Sequence, residues 1–431
     1  MSKNPKFQSP TGMRDILPED QKYFKKIYDT VFEIADFYGF GKIDTPILEE
    51  TELFSRGIGL TTDVVSKEMY TLKTKGGDNL SLRPEWTAPI ARSYIENGMY
   101  ALPQPIKLWY FGPCYRHERP QADRYRQFWQ FGFEVLGEKN PVIDAQIIQI
   151  FYNILKELKL KNLIVEINSI GDSNCRPYYK KLLSNYYKSR ENSLCADCKR
   201  RAKDNILRLL DCKEEKCQPI KTEAPEIIDH LCEECHSHFK EVLEFLDEIE
   251  LPYNLNPHLV RGLDYYTKTV FEIFFESESE KKEEVVRNAL VGGGRYDKLV
   301  KLLGGRDTPA SGAAAGVERI IKLMKAQGVS LGKEAETQIF LAQLGSLAKR
   351  KSLRLLEDFR KSKIKLEESF GKDSLKSQLN RADKVGAKYT LILGQKEALD
   401  GVVIIRDMSS GNQEIVKIDQ AVAKVKNKLK K

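Results

Sequence analysis

The segment "LVRGLDYYTKTVFEIFFE", residues 259–276, joins two kinds of chemistry. Its second half, with Val270, Phe271, Ile273 and Phe274, has the composition of a strand. Its first half carries Arg261, Asp264, Tyr265, Tyr266, Thr267 and Lys268. So many hydrogen-bonding groups at the mouth of an apolar strand suit a pocket floor that reads a polar ligand. A solvated loop is the plain alternative.

A second stretch, "GPCYRHERPQADRYRQFWQFGFEVLG" at 112–137, sets Arg116, His117, Glu118, Arg119, Arg124 and Arg126 in a loop between two strand-like runs. Arginine forks grip phosphate oxygens bidentately. Phe128 sits where the chain re-enters the strand and could stack on a base. Gln130 and Glu134 alternate with Phe131, Phe133 and Val135, so they share a strand face whose reverse is apolar. That face suits a small polar ligand, or else it is a solvated face beside a basic hairpin.

Three shorter runs offer related chemistry. In "LRPEWTAPIAR", 82–92, Arg83, Glu85 and Thr87 alternate out of an apolar strand. A carboxylate beside a hydroxyl suits an ammonium group, while a helix N-terminus with an acidic residue near its dipole is the competing reading. In "VGGGRYDKLV", Gly292, Gly293 and Gly294 allow close backbone approach to a ligand or a tight turn. Their spacing matches neither a dinucleotide fingerprint nor a P-loop. In "GAAAGVERI", Arg319 lies one turn into an otherwise apolar helix, facing a phosphate or a salt-bridge partner.

These residues need a scaffold to hold them. "PEDQKYFKKIYDTVFEIADFYGF", 18–40, predicts an amphipathic helix with Tyr23, Ile27, Val31, Ile34, Phe37 and Tyr38 near a 3.6 period. Segments 68–72, 79–83, 106–111, 128–136 and "LIVEINSIG" read as strands, and 141–160 as a helix. "SGAAAGVERIIKLM" reads as a small-residue helix entry. Several strands before the next helix predict an α+β fold, an antiparallel sheet with helices on one side. Residues 175–250 are helical, charged and cysteine-rich, and read as an insert in a catalytic domain spanning 1–326. A linker follows at 327–336. Residues 337–431 then alternate strand and helix, which predicts a small α/β domain with a mixed sheet. Its expected elements are strand 338–344, helix 346–361, strand 363–369, helix 373–385, strands 389–394, 402–407 and 413–418, and helix 419–430.

Charge separates the two ends. Residues 337–431 hold 21 Lys and Arg against 11 Asp and Glu, so they carry +10 and the rest of the chain −2 of a net +8. A compact basic module suggests a nucleic-acid partner, with a lysine-rich solvated surface as the alternative. No run of about 18 apolar residues appears, so no membrane helix is expected. The first twenty residues lack the apolar core of a secretory signal, and a cytoplasmic location is expected. Eight cysteines in such a chain point to metal or free thiols before disulfides. Cys195-x-x-Cys198 and Cys232-x-x-Cys235 are zinc-like half-sites that could combine into one thiolate site, or remain buried free thiols. No residue is assigned to a metal on this reading.

Taken together, the motifs resemble those of class II aminoacyl-tRNA synthetases, and closely the histidyl-tRNA synthetases, nearly end to end. "GFGKIDTPILEE" resembles motif 1, the dimer motif; residues 107–137 resemble motif 2; "GAAAGVERI" resembles motif 3. "LVRGLDYYTKTVFE" and "VGGGRYDKL" resemble the two motifs specific to the histidine enzymes. The resemblance implies ATP and Mg²⁺ with L-histidine and tRNA(His) as partners, in a homodimer. It implies that Arg261 is catalytic and reaches the α-phosphate and the histidine carboxylate. Tyr265 and Tyr266 would line the imidazole pocket, with Tyr266 and Glu134 on its two nitrogens. Glu85, Thr87 and Gln130 would hold the α-amino group. Arg116 and Arg319 would clamp phosphates, Glu118 would hold the adenine amino group or a magnesium-bound phosphate, and Phe128 would stack on adenine. Arg119, Gln121 and Arg124 would meet the tRNA acceptor end, and the C-terminal domain would bind the anticodon. Trp86 and Trp129 depart from the family pattern and would reshape a pocket wall. A non-catalytic, synthetase-like regulator of histidine biosynthesis is the alternative, although such paralogues usually lack the tail domain and the arginine.

Overall fold

The computed structural model describes residues 7–60, 62–118, 124–276, 289–332, 338–371 and 374–429. The chain divides into two compact units, Met1–Ser330 and Leu331–Lys431.

In the first unit the described strands are β1 (Gly41–Lys42), β2 (Leu48–Glu50), β3 (Thr71–Lys73), β4 (Asn79–Leu82), β5 (Ile106–Tyr115), β6 (Gln127–Leu136), β7 (Leu163–Ser169), β8 (Tyr253–Leu255), β9 (Thr267–Phe275), β10 (Val291–Arg295) and β11 (Ala310–Gly316). Eight form one sheet in the order β1-β5-β6-β11-β10-β9-β7-β8, and β2-β4-β3 form a smaller one. The large sheet is antiparallel from β5 through to β7. It is parallel at both edges, where β1 meets β5 and β8 meets β7. The expected antiparallel sheet is thus present through six central strands, with one parallel strand added at each edge. Parallel pairing needs a long crossover, and β8 returns to β7 only after the helical insert.

The helix Pro18–Phe37 forms as expected and buries Phe24, Ile27, Val31 and Ile34. Phe37, expected on its apolar face, is 82% exposed. Proline opens the helix, and the chain leaves it through Gly39 at φ 72°.

Two small-residue runs depart from their expected forms. Ala310–Gly316 is strand β11, and the helix starts only at Val317. Alanine favours helix, but pairing on both sides with β6 and β10 overrides that preference. Gly292–Gly294 form the body of β10, not a turn. Their partners across the ladder are Ala314, Ala313 and Gly312, so the middle of the sheet is nearly bare of side chains. The strand at 79–82 ends before Arg83, and Thr87 opens the helix Thr87–Glu96, so the helix-terminus reading of that segment holds.

The insert is built from the helices Arg176–Lys188, Ala196–Asp204, Gln218–Thr222 and Glu233–Glu248, with short 3-10 turns between them. The two Cys-x-x-Cys pairs do not meet. Cys195 and Cys198 gather with Cys212 and Cys217, whereas Cys232 and Cys235 gather with Cys175 and Asp172. A buried network ties the last helix of the insert to the sheet. His238 Nε2 lies 2.8 Å from Asp144, which also accepts from Arg295 at 2.9 Å. Burial works to raise the Asp144 carboxyl, but Arg295 and His238 more than offset it and hold the group well below the usual range.

The second unit has the strands β12 (Ile339–Gln343), β13 (Leu366–Glu368), β14 (Tyr389–Leu393), β15 (Val402–Asp407) and β16 (Gln413–Lys417), in the order β13-β12-β14-β15-β16. β12 is parallel to both its neighbours, and the remaining pairs are antiparallel, which is a mixed sheet. One helix, Gln395–Asp400, was not expected from sequence; its six residues are too short to show a period.

Candidate active site

β6 is the spine of the site. Phe131 and Phe133 point to one side and pack on Phe151, with ring centroids 5.7 and 5.5 Å away. Gln130 and Glu134 therefore face the other side. Glu134 is 1% exposed. The Thr87 hydroxyl donates to its Oε1 at 2.8 Å and the Tyr296 hydroxyl to its Oε2 at 2.5 Å. Burial pushes the Glu134 carboxyl from 4.5 up to about 8, against the opposing pull of these two hydrogen bonds. Gly312 lies beneath it on β11, and a methyl group there would collide with Oε2.

Glu85 is buried beside this carboxyl and accepts the backbone N–H groups of Thr87 and Ala88, at 2.6 and 2.8 Å, at the start of their helix. Burial raises it too. The Tyr265 hydroxyl reaches Glu85 at 3.5 Å. The Tyr265 ring lies 4.7 Å from Tyr266 and 5.7 Å from Tyr296. Burial pushes all three phenols upward, so they remain hydrogen-bond donors. Glu85, Thr87, Glu134, Tyr265, Tyr266 and Tyr296 thus form one buried polar cluster.

At the other end of β6 the surface opens into a cavity of about 210 Å³. Four arginines (116, 124, 261 and 319) and three glutamates (118, 272 and 318) line it, with Phe128 and Gln130. Arg116 Nε donates to the Pro84 carbonyl at 3.0 Å, and its guanidinium stands 5.4 Å from the Phe128 ring. Arg319 donates to the Ala289 carbonyl at 2.7 Å. Arg261 pairs with Glu272 and lies 5.7 Å from the Tyr266 ring, and its buried Nε has no hydrogen-bond partner among the described residues. Gly292 makes room for that guanidinium; a side chain there would strike it. Glu318 accepts the Trp129 backbone N–H at 3.0 Å, and burial pushes it up to about 7. Arg124 pairs with Glu118 at 3.2 Å.

The residues singled out from sequence therefore fall into two groups. Arg116, Glu118, Arg124, Phe128, Gln130, Arg261 and Arg319 border the cavity. Glu85, Thr87, Glu134, Tyr265 and Tyr266 lie in the buried cluster. Arg119 and Gln121 lie outside the described residues. Tyr296 and Glu318 went unassigned. Tyr296 stands two residues after the glycine run and Glu318 directly before Arg319, so each sat inside a motif already marked. Neither unusual tryptophan lines the cavity. Trp86 stacks on Tyr110 at 4.6 Å beneath the Arg83 guanidinium, and Trp129 turns its ring to Phe24 at 5.6 Å on the reverse of the sheet.

A family model described as histidyl-tRNA synthetase matches residues 12–320. The chain belongs to the histidyl-tRNA synthetase family. An anticodon-binding domain model matches residues 338–428. A histidine–tRNA ligase of Dehalococcoides mccartyi is 43% identical over 423 residues, covering 98% of this chain and 100% of that protein. One from Desulfitobacterium hafniense is 44% identical over 407 residues, covering 94% of each. Among solved structures, the apo histidyl-tRNA synthetase of S. aureus superposes with a TM-score of 0.79 at 35% identity, covering 97% of this chain and 99% of that one. A Bacillus halodurans protein titled ATP phosphoribosyltransferase regulatory subunit/histidyl-tRNA synthetase shares the fold at 21% identity and a TM-score of 0.64, covering 91% of this chain and 99% of that one. The histidyl-tRNA synthetase architecture thus extends along the whole chain, with the anticodon-binding match on the basic second unit.

Proposed function

We propose that the protein activates L-histidine with ATP and transfers it to the 3′ end of tRNA(His). The observation that carries this reading is the meeting of two environments along β6: a buried carboxylate–tyrosine cluster and an arginine-lined cavity. In the first, Glu134 would accept from an imidazole N–H while Tyr266 meets the other ring nitrogen. A ligand lacking either nitrogen would leave a buried polar group unpaired, which is a strong basis for rejection. Gln130, Glu85 and Thr87 would hold the α-amino group, with Glu85 already fixed by two backbone donors.

In the second, Arg116 and Arg319 would bind ATP phosphates and Phe128 would stack on adenine. The histidine carboxylate attacks the α-phosphorus in line. The new O–P bond forms as the bond to pyrophosphate breaks, and pyrophosphate leaves with that electron pair. Arg261 would stabilise charge gathering on the α-phosphoryl oxygens. A tRNA hydroxyl oxygen then bonds the adenylate carbonyl carbon, the bond from that carbon to the phosphate oxygen breaks, and AMP departs with the electron pair while the hydroxyl proton passes to the leaving phosphate. Positioning and charge supply the rate, without a protein nucleophile.

The donor chemistry of the cavity fits Mg²⁺, since Glu118, Glu272 and Glu318 offer hard carboxylate oxygens. Bound with ATP, the ion would supply positive charge at the phosphate oxygens. Residues 337–431, which carry +10, would bind tRNA. A homodimer belongs to the same proposal, and exposed Phe37, Ile47 and Leu48 offer apolar surface for it. No helix of the described residues is long and apolar enough to cross a membrane; a cytoplasmic location is likewise proposed. The test is ATP–pyrophosphate exchange. Exchange that requires histidine, and is not supported by the other amino acids, is expected. A folded protein that binds histidine but gives no exchange would identify the regulatory alternative instead.

A further inference from the structure

We propose that Cys195, Cys198, Cys212 and Cys217 bind one zinc ion as a four-thiolate structural site within the insert. Their sulfurs all lie within 4.8 Å of one another, and all four residues are buried. The Sγ atoms of Cys195 and Cys212 are 3.9 Å apart. A tetrahedron of thiolates at a Zn–S distance of about 2.3 Å has an edge of about 3.8 Å. A disulfide would need about 2.05 Å, and all four cysteines are free.

The backbone is also arranged for anionic sulfur. The Cys198 N–H donates to Cys195 Sγ at 3.3 Å, and the Cys195 N–H to Cys217 Sγ at 3.3 Å. Such donors stabilise thiolates and orient them toward a metal. The order is Cys-x2-Cys, thirteen intervening residues, then Cys-x4-Cys. Both half-sites fall in the usual two-to-four-residue spacing. Soft tetrahedral sulfur selects zinc or iron, and a closed set of four ligands is a structural site.

The location gives the site a purpose. Between Cys198 and Cys217 the chain forms only short helices and turns, too little to build a core of its own. The thirteen-residue span between the half-sites carries Arg201, Asn205 and Arg208. Arg208 and Arg201 bond Asp63 at 2.9 and 3.4 Å, and Asn205 donates to Asp264 at 2.8 Å. Asp264 directly precedes Tyr265 and Tyr266. The metal would hold the span that braces the catalytic segment.

The test uses the full-length protein, purified without added zinc and analysed for metal. A Cys198→Ser/Cys212→Ser variant should hold about one zinc fewer per chain than the parent. A Cys232→Ser/Cys235→Ser variant disables the second cysteine group and should still hold zinc. Replacing its metal with cobalt(II) should give the intense visible bands and sulfur-to-metal charge transfer of a tetrahedral thiolate site. Equal zinc in the parent and the first variant would overturn the proposal. So would iron in place of zinc, or a cobalt spectrum without thiolate charge transfer. The cobalt measurement decides the matter even if the first variant fails to fold.

Discussion

Gln130 and Glu134 stand four residues apart on one face of β6, and their surroundings are opposite in kind. Around Gln130 the lining is of arginine and glutamate side chains, several partly exposed, with Arg116 and Arg319 donating to backbone carbonyls and Arg261 paired with a carboxylate. Around Glu134 the groups are buried and bonded at short range, and the carboxyl itself is pushed toward neutrality. Phosphate recognition can rely on charge, which acts over distance and tolerates small displacements. Recognition of a small neutral ring cannot; it needs fixed donors and acceptors whose misuse leaves a desolvated group unpaired. On the proposed reading the two ends of one strand divide power from selectivity.

The sharpest way to break that division is Arg261→Ala. It removes a charge that would act mainly in the transition state, so histidine-dependent exchange should fall by roughly 10²–10³-fold, about 3–4 kcal/mol, with the histidine and ATP KM values little changed. Arg261→Lys should recover little, because a point charge lacks the fork. Near-normal exchange in the alanine variant would remove Arg261 from the chemistry.

Glu134→Gln should instead raise the histidine KM by roughly tenfold to a hundredfold and leave the ATP KM nearly unchanged, the cost of leaving a buried hydrogen-bonding group unpaired. Equal losses for both ligands would show that the cluster and the cavity are not separate. The same variant tests the buried carboxyl by pH. Its folded value, about 8, lies above the ordinary 4.5. The native state therefore holds more protons than the unfolded state in that window, and parent stability falls as pH rises through it. Glu318, raised to about 7, adds a slope of the same sign. The thermal midpoint of Glu134→Gln should decline less than that of the parent between about pH 5 and about pH 8. Parallel declines would mean that Glu134 titrates normally.

The smallest effect is expected from Tyr296→Phe. One hydrogen bond to Glu134 is lost, about 0.5–1.5 kcal/mol, so the histidine KM should rise several-fold. An unchanged KM would mean that Tyr296 only fills space.

The sequence revealed this site unevenly, for physical reasons. Alternation along 128–136 located Gln130 and Glu134 correctly because a strand has a period of two. The basic loop marked Arg116 because guanidinium forks match phosphate geometry, and Arg116 does border the cavity. The partition between open cavity and closed cluster was not readable, since it depends on β11 and β10 closing under β6, pairings distant in sequence. The alanine run misled for the same reason: its local preference is helical, and only the neighbouring strands make it sheet. Tyr296 earned no role because nothing local says that its hydroxyl reaches a carboxylate 162 positions away. The cysteines show a similar limit. Two identical Cys-x-x-Cys signals invited pairing with each other, but the fold carries each to different partners.

The glycines and alanines of β10 and β11 have a consequence for anyone who would retune this enzyme to a different amino acid. A pocket is usually deepened by trimming whatever lies at its bottom. On the proposed reading the bottom is already backbone: Gly312 lies flush beneath the Glu134 carboxyl and Gly292 beneath the Arg261 guanidinium. Nothing remains there to cut, and any substitution can only make the site shallower. Extra room would have to come from the sides, by shortening Tyr265 or Tyr266, and each of those rings also holds its neighbour in place.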